Sequence, residues 1–168
     1  GDTLVMAITT SPSELTGWIG LSWEQLVAEA STAGSRYHVY PIMMGTKKRW
    51  IEAPDGSLKL LQRRLLDRVL YRLEPTRWAH GFVRGRSIVS NAAEHCGRQW
   101  VVSLDIKDFF PSVTRAMVVQ SLRELLEKLE ERQLVGDLVT RGDRLPQGAP
   151  TSPHLANLTV RDLDRRLG

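Results

Sequence analysis

An α+β fold, with helices packed on small antiparallel sheets, is what this 168-residue sequence predicts, and three observations carry the prediction. YHVYPIMM and KKRWIEAP are two extended-type runs joined by Gly45-Thr46, which is the pattern of an antiparallel hairpin with a glycine-first turn. LKLLQRRLLDRVLYRL repeats its leucines at helical spacing. WVVSLDI, residues 100–106, is an apolar run apart from the hairpin and reads as a further buried strand. With 42% apolar residues the chain can bury the core of one ordinary domain.

Taken in order, Ser22 and Gln25 form a capping-box pattern that opens a helix over about 22–31, with Trp23, Leu26, Val27 and Ala30 as its stripe. The hairpin follows, ended by Pro54 and Asp55-Gly56, with Lys47, Lys48 and Arg49 at its turn and on its second strand. The next helix sets Leu58, Leu61, Leu65, Val69 and Leu73 on one face and Arg63, Arg64 and Arg68 toward the other. HGFVRGRS, residues 80–87, is a glycine-punctuated basic loop, and Ser87 caps a helix SIVSNAAEH that sets Asn91 and His95 four residues apart. After the apolar strand, a helix over 115–131 directs Val118, Leu122, Leu125, Leu126 and Leu129 inward. RLPQGAPTSP is a loop, and Pro153 opens a final helix carrying Ala156, Val160, Leu163 and Leu167.

Charge is unevenly spread. Residues 1–35 hold four acids and no Lys or Arg, whereas residues 36–86 hold twelve bases against four acids. Such a block suits a polyanionic partner, since phosphate contacts dominate nucleic-acid affinity, and it suits a solvated helix face equally. The single Cys96 excludes an internal disulfide, and the four histidines lack zinc-site spacing. No run approaches the roughly 18 apolar residues of a membrane span, and no secretory signal is visible, so a cytoplasmic setting without membrane association is expected.

Asp105 closes the VVSLD run and Asp108 follows three residues later. A carboxylate at the edge of a strand can hold a hard divalent cation together with substrate phosphates; it can equally cap a turn.

KKRWIEAP, LKLLQRRLL, HGFVRGRSIVSNAAEH, VVSLDIKDFFPSV and LPQGAPTSPHLANL resemble, in this order and spacing, the fingers and palm motifs of bacterial reverse transcriptases. NAAEH and GAPTSP are similar to the retron enzymes' versions, while group II intron and abortive-infection enzymes share most of the other motifs. The resemblance implies a polymerase right-hand fold: an N-terminal helical segment over 1–35, fingers over 36–99 and a partial palm over 100–168. It implies an RNA-directed DNA polymerase that makes RNA-linked single-stranded DNA and serves antiphage defence, with two Mg2+ ions as cofactors. Its partners would be a structured noncoding RNA as template and primer, deoxynucleoside triphosphates, and the remainder of the polymerase or an effector protein.

By the same resemblance Asp105 is the first catalytic aspartate, and with the Ile106 carbonyl a metal ligand. Arg49, Lys48, Asp108, Phe109, Phe110, Gln147 and Gly148 would line the nucleotide site, with Phe110 as the steric gate against a 2′-hydroxyl. Arg63, Arg64, Arg84, Arg86, Asn91 and His95 would contact nucleic acid. Two departures stand out. Met43 and Met44 occupy the place where the family has a lysine, and no Asp-Asp pair occurs for the Tyr-x-Asp-Asp hairpin that completes the family's metal site. The expectation is therefore a segment that stops before that hairpin and the thumb and is inactive alone. The competing readings are a non-catalytic RNA-binding module and a scaffold that pairs with another chain.

Overall fold

The computed structural model describes residues 13–103 and 105–167. Two short capped helices begin the fold. In α1 (Glu14–Ile19) the Ser13 hydroxyl accepts from Thr16 N–H, and in α2 (Trp23–Ala33) Ser22 and Gln25 form the expected reciprocal capping box. The hairpin has the expected limits, β1 (Tyr37–Met44) and β2 (Lys47–Pro54), paired antiparallel from Tyr37 opposite Pro54 to Met44 opposite Lys47. Gly45, at φ 61, supplies the left-handed residue that its turn requires.

Helix α3 (Gly56–Arg68) starts at Asp55, whose carboxylate accepts from Leu58 N–H and is held well below its usual pKa, first by the Arg36 guanidinium. A 3-10 turn, Leu70–Arg72, follows. The chain then forms α4 (Ile88–Glu94), the four-residue α5 (Phe109–Ser112), α6 (Arg115–Ser121), α7 (Leu129–Val139), α8 (Ser152–Thr159) and α9 (Arg161–Leu167). Leu15, Ile19, Leu26, Leu65, Val118, Leu122, Leu126, Val135, Leu138, Leu145 and Leu155 are all buried in one core fed by α1, α2, α3, α6, α7, α8 and the loop before α8. Each such side chain stabilises the fold by about 1.5–3 kcal/mol. Gln62, fully buried, donates to Tyr37 Oη and to the Leu138 carbonyl at 2.9 Å each, tying β1, α3 and α7 together.

The mixed helical and antiparallel class is as expected, with the hairpin as the only sheet among the described residues. Four elements differ from expectation. Helix α3 ends at Arg68, so Val69 and Leu73 are buried from the turn beyond it. Residues 100–103 and 105–106 form no strand, because no strand among the described residues pairs with their backbone groups, and Trp100 and Val102 are exposed. The helix expected over 115–131 is two helices, and Leu129 faces solvent at the start of α7. The break lets Leu122 and Leu126 share a core with Leu134, Val135 and Leu138, and Gly136 admits α6 closely: a Cβ there would lie 3.1 Å from Val119 Cγ2. The final helix divides at Val160, leaving Leu163 exposed. Val27 is exposed too. Residues 1–12, Leu104, Gly168 and the Leu167 side chain lie outside the description.

Candidate nucleotide and nucleic-acid site

Alternation along β2 places Arg49 and Ile51 on one face of the hairpin and Lys48, Trp50 and Glu52 on the other. Arg49 and Lys48 are exposed, and the Lys48 ammonium lies 4.7 Å from the centre of the Trp50 ring. The Gln147–Gly148 loop docks on this strand. Glu52 N–H donates to the Gln147 carbonyl at 2.8 Å, occupying the free edge of β2. Gly148, at φ 138, comes so close that a Cβ would meet Glu52 O and Ile51 Cγ2 at 2.9 Å each. The absence of a side chain at Gly148 is thus what lets this loop lie against the hairpin.

The Glu52 carboxylate, 6% exposed, is paired with Arg141 and with Arg144 at 3.0 Å. Burial alone would raise its pKa; the hydrogen bonds and charges of Arg144 and Arg141 outweigh burial and lower it. Arg141 and Arg144 flank a tight turn in which Gly142 and Asp143 have φ 55 and 62. From this turn Leu145 N–H donates to the Val113 carbonyl at 3.0 Å, just after α5. A sequence of backbone ties therefore runs from β2 through Gln147 and Leu145 to the α5 segment.

On that segment Asp105, Ile106 and Asp108 are exposed and Phe109 and Phe110 half-buried. Asp108 sits at φ 49, a left-handed conformation that an aspartate tolerates, and heads α5 without a side-chain cap bond. The Phe110 ring contacts Phe109, with centroids 5.9 Å apart, and Phe82, edge-on at 6.3 Å. Asp105 and the Ile106 carbonyl offer hard oxygen donors of the kind Mg2+ takes alongside substrate phosphates. Among the described residues no three His, Cys, Asp or Glu side chains gather at one point, so these donors fit the ion in kind and supply only part of its shell.

The basic residues divide by environment. Arg63 and Arg64 are exposed on the outer face of α3, and Asn91 and His95 are exposed on α4 and at its end. Arg84 lies over the Tyr71 ring at 4.2 Å and pairs with Asp67 at 3.1 Å. Arg86 is turned inward, donating to the Thr76 carbonyl at 2.6 Å and to the Ala79 carbonyl, so it shapes the loop that holds it.

A family model described as reverse transcriptase (RNA-dependent DNA polymerase) matches residues 44–168. The chain belongs to the reverse transcriptase family. Curated relatives place it in the retron-type branch. It is 42% identical over 137 residues to the retron Mx65 reverse transcriptase of Myxococcus xanthus, an alignment covering 71% of this chain and 32% of that protein. Against the Mx162 enzyme of the same organism identity is 46% over 138 residues, covering 71% of this chain and 28% of that protein. Against the Ec86 enzyme of Escherichia coli it is 35% over 154 residues, covering 88% of this chain and 47% of that protein. The chain thus spans less than half the length of each.

Within this reverse transcriptase chain, sequence reasoning missed Glu52, Arg141, Arg144, Phe82 and His154. His154 is buried, and its Nε2 bridges the Leu70 and Leu73 carbonyls at 3.0 and 3.1 Å, fastening α8 to the 3-10 turn. One visible signal was the RGDR turn, with two arginines facing an acid placed in an apolar strand end.

Proposed function

We propose that this chain supplies the fingers and part of the palm of a right-hand polymerase that copies a structured noncoding RNA into DNA from deoxynucleoside triphosphates. The observation that carries this reading is the run of backbone ties joining β2, the Gln147–Gly148 loop and the end of α5. These ties join, through the backbone, the strand that carries Arg49, the loop that carries Gln147 and the segment that carries Phe110.

In this reading Arg49 forks onto the triphosphate, for which its planar paired donors are suited, with Lys48 or Lys47 adding a point charge from the turn. Gln147 meets the nucleotide, while Asp108 and Phe109 lie near its phosphates. Phe110 occupies the volume that a 2′-hydroxyl would need. Asp105 and the Ile106 carbonyl would hold Mg2+, which when bound supplies positive charge to the primer oxygen and the phosphates. The primer hydroxyl gives its proton to water and attacks the α-phosphate, the new P–O bond replaces the one to pyrophosphate, and pyrophosphate leaves. Arg63 and Arg64 face outward to the template or primer backbone; Arg84, Arg86, Asn91 and His95 belong to the adjoining loop and helix. The family's wider role, RNA-linked single-stranded DNA serving antiphage defence, is the setting this reading implies.

The test is primer extension on RNA template with Mg2+, comparing full-length polypeptide with and without Asp105→Asn. A loss of roughly a hundredfold or more is expected when a metal-holding carboxylate is neutralised. Synthesis at the unaltered rate would overturn the assignment.

A further inference from the structure

We infer that Phe82 is a positioning residue: it holds the Phe110 ring in place and so sets how strictly ribonucleotides are refused. The inference rests on the reading of Phe110 as the sugar gate. Phe82 lies in the loop between the 3-10 turn and α4, and its ring meets that of Phe110 edge-on, with centroids 6.3 Å apart and planes inclined at 63°. Phe109 contacts the Phe110 ring as well, tilted by 30°. The gate ring is thus flanked by two aromatic neighbours, one of them from a segment 28 positions away in the chain.

Two features set Phe82 apart from an ordinary packed aromatic. It is 70% exposed, so burial does not account for its position. Its backbone sits at φ 58, in the left-handed region that a bulky L-residue occupies only when its surroundings impose it. The surroundings do impose it. Asn157 on α8 donates to the Gly81 carbonyl at 2.8 Å, Arg86 binds the Thr76 and Ala79 carbonyls, and Gly85 turns the chain at φ 74. The carbonyls just before Phe82 are held by Asn157 and by Arg86, which follows it in the same loop, and the Phe82 ring meets Phe110 edge-on.

A gate excludes a 2′-hydroxyl only while its ring cannot tilt aside. Half-buried Phe110 has room to move toward the loop if Phe82 is removed, whereas the edge-to-face contact opposes that tilt. The residue would act on the ratio of deoxynucleotide to ribonucleotide use, with little effect on chemistry itself.

The experiment measures kcat/KM for dATP and for ATP on an RNA template with a DNA primer, using full-length polypeptide carrying Phe82→Ala, Phe82→Leu, Phe82→Tyr or Phe110→Val. Loss of one edge-to-face contact should lower the dATP-to-ATP preference roughly five- to tenfold in Phe82→Ala. Phe82→Leu, which keeps apolar bulk without the flat edge, should fall likewise and serves as the readout should alanine lower the melting temperature. Phe82→Tyr should keep the original preference. If Phe110→Val loses discrimination while Phe82→Ala and Phe82→Leu retain it, the inference is wrong and the gate stands. If Phe110→Val also retains it, the gate reading fails and the inference with it.

Discussion

At the scale of single residues, Glu52 shows how one side chain can hold two parts of a site together. Its backbone N–H fixes the Gln147 carbonyl while its carboxylate receives two guanidinium groups, so both ends of the residue bind the same loop region. Removing the charge would leave Arg141 and Arg144 facing a neutral partner at a largely dry point. Since both arginines are about one-third exposed, water offsets part of the loss. Glu52→Gln should therefore destabilise by about 2 kcal/mol, less than the loss of a fully buried pair, and, if Gln147 meets the nucleotide as proposed, should raise KM for it as the loop loosens. Thermal melting and steady-state kinetics check both. Unchanged melting would show that the carboxylate adds nothing to the docking.

At the scale of elements, the contact between the hairpin and the loop depends on a missing Cβ. Gly148→Ala must place a methyl 2.9 Å from a backbone oxygen, which cannot move as a flexible side-chain end can, and must do so at φ 138. The loop would have to retreat from β2 and break the Gln147 tie. A cost of about 2 kcal/mol or more is expected, visible in urea denaturation, together with a weaker apparent affinity for nucleotide. The α6–α7 pair repeats the principle: Gly136 lies against Val119 and the Arg115 stem, and Arg115 continues to Asp137 at 2.7 Å. Helix division at residues 122–128 is thus a packing solution that the leucine pattern by itself does not reveal.

At the scale of the whole molecule, the pH dependence of stability reports how its parts are joined. Burial lowers the pKa of His154 from 6.5, so below that pH the unfolded chain takes up a proton that the folded chain resists, and acid favours unfolding. Glu52 and Asp55, whose pKa values are lowered by arginine partners, add their own loss only as pH falls below the ordinary carboxylate range near 4.5 and 3.8. Between pH 6.5 and 4.5 the His154 share stands alone among these three, with a slope of up to about 1.4 kcal/mol per pH unit. Full-length polypeptide carrying His154→Gln, whose amide can still donate to the Leu70 and Leu73 carbonyls, should lose that slope in melting curves. An unaltered slope would place the proton uptake elsewhere. The sequence by itself determined the hairpin limits, the Ser22–Gln25 capping box, the Ser87 cap, the leucine face of α3 and the motif order that marks a reverse transcriptase. Those signals act within a few residues, through side-chain alternation, helical spacing and caps that bond three positions away. Only the tertiary structure decided that Glu52 meets Arg141 across 89 positions, that Gly148 packs on a strand, and that residues 101–103 and 105–106 lie open. Such outcomes depend on which distant surfaces come together to exclude water and to satisfy backbone groups, a condition that no local pattern contains.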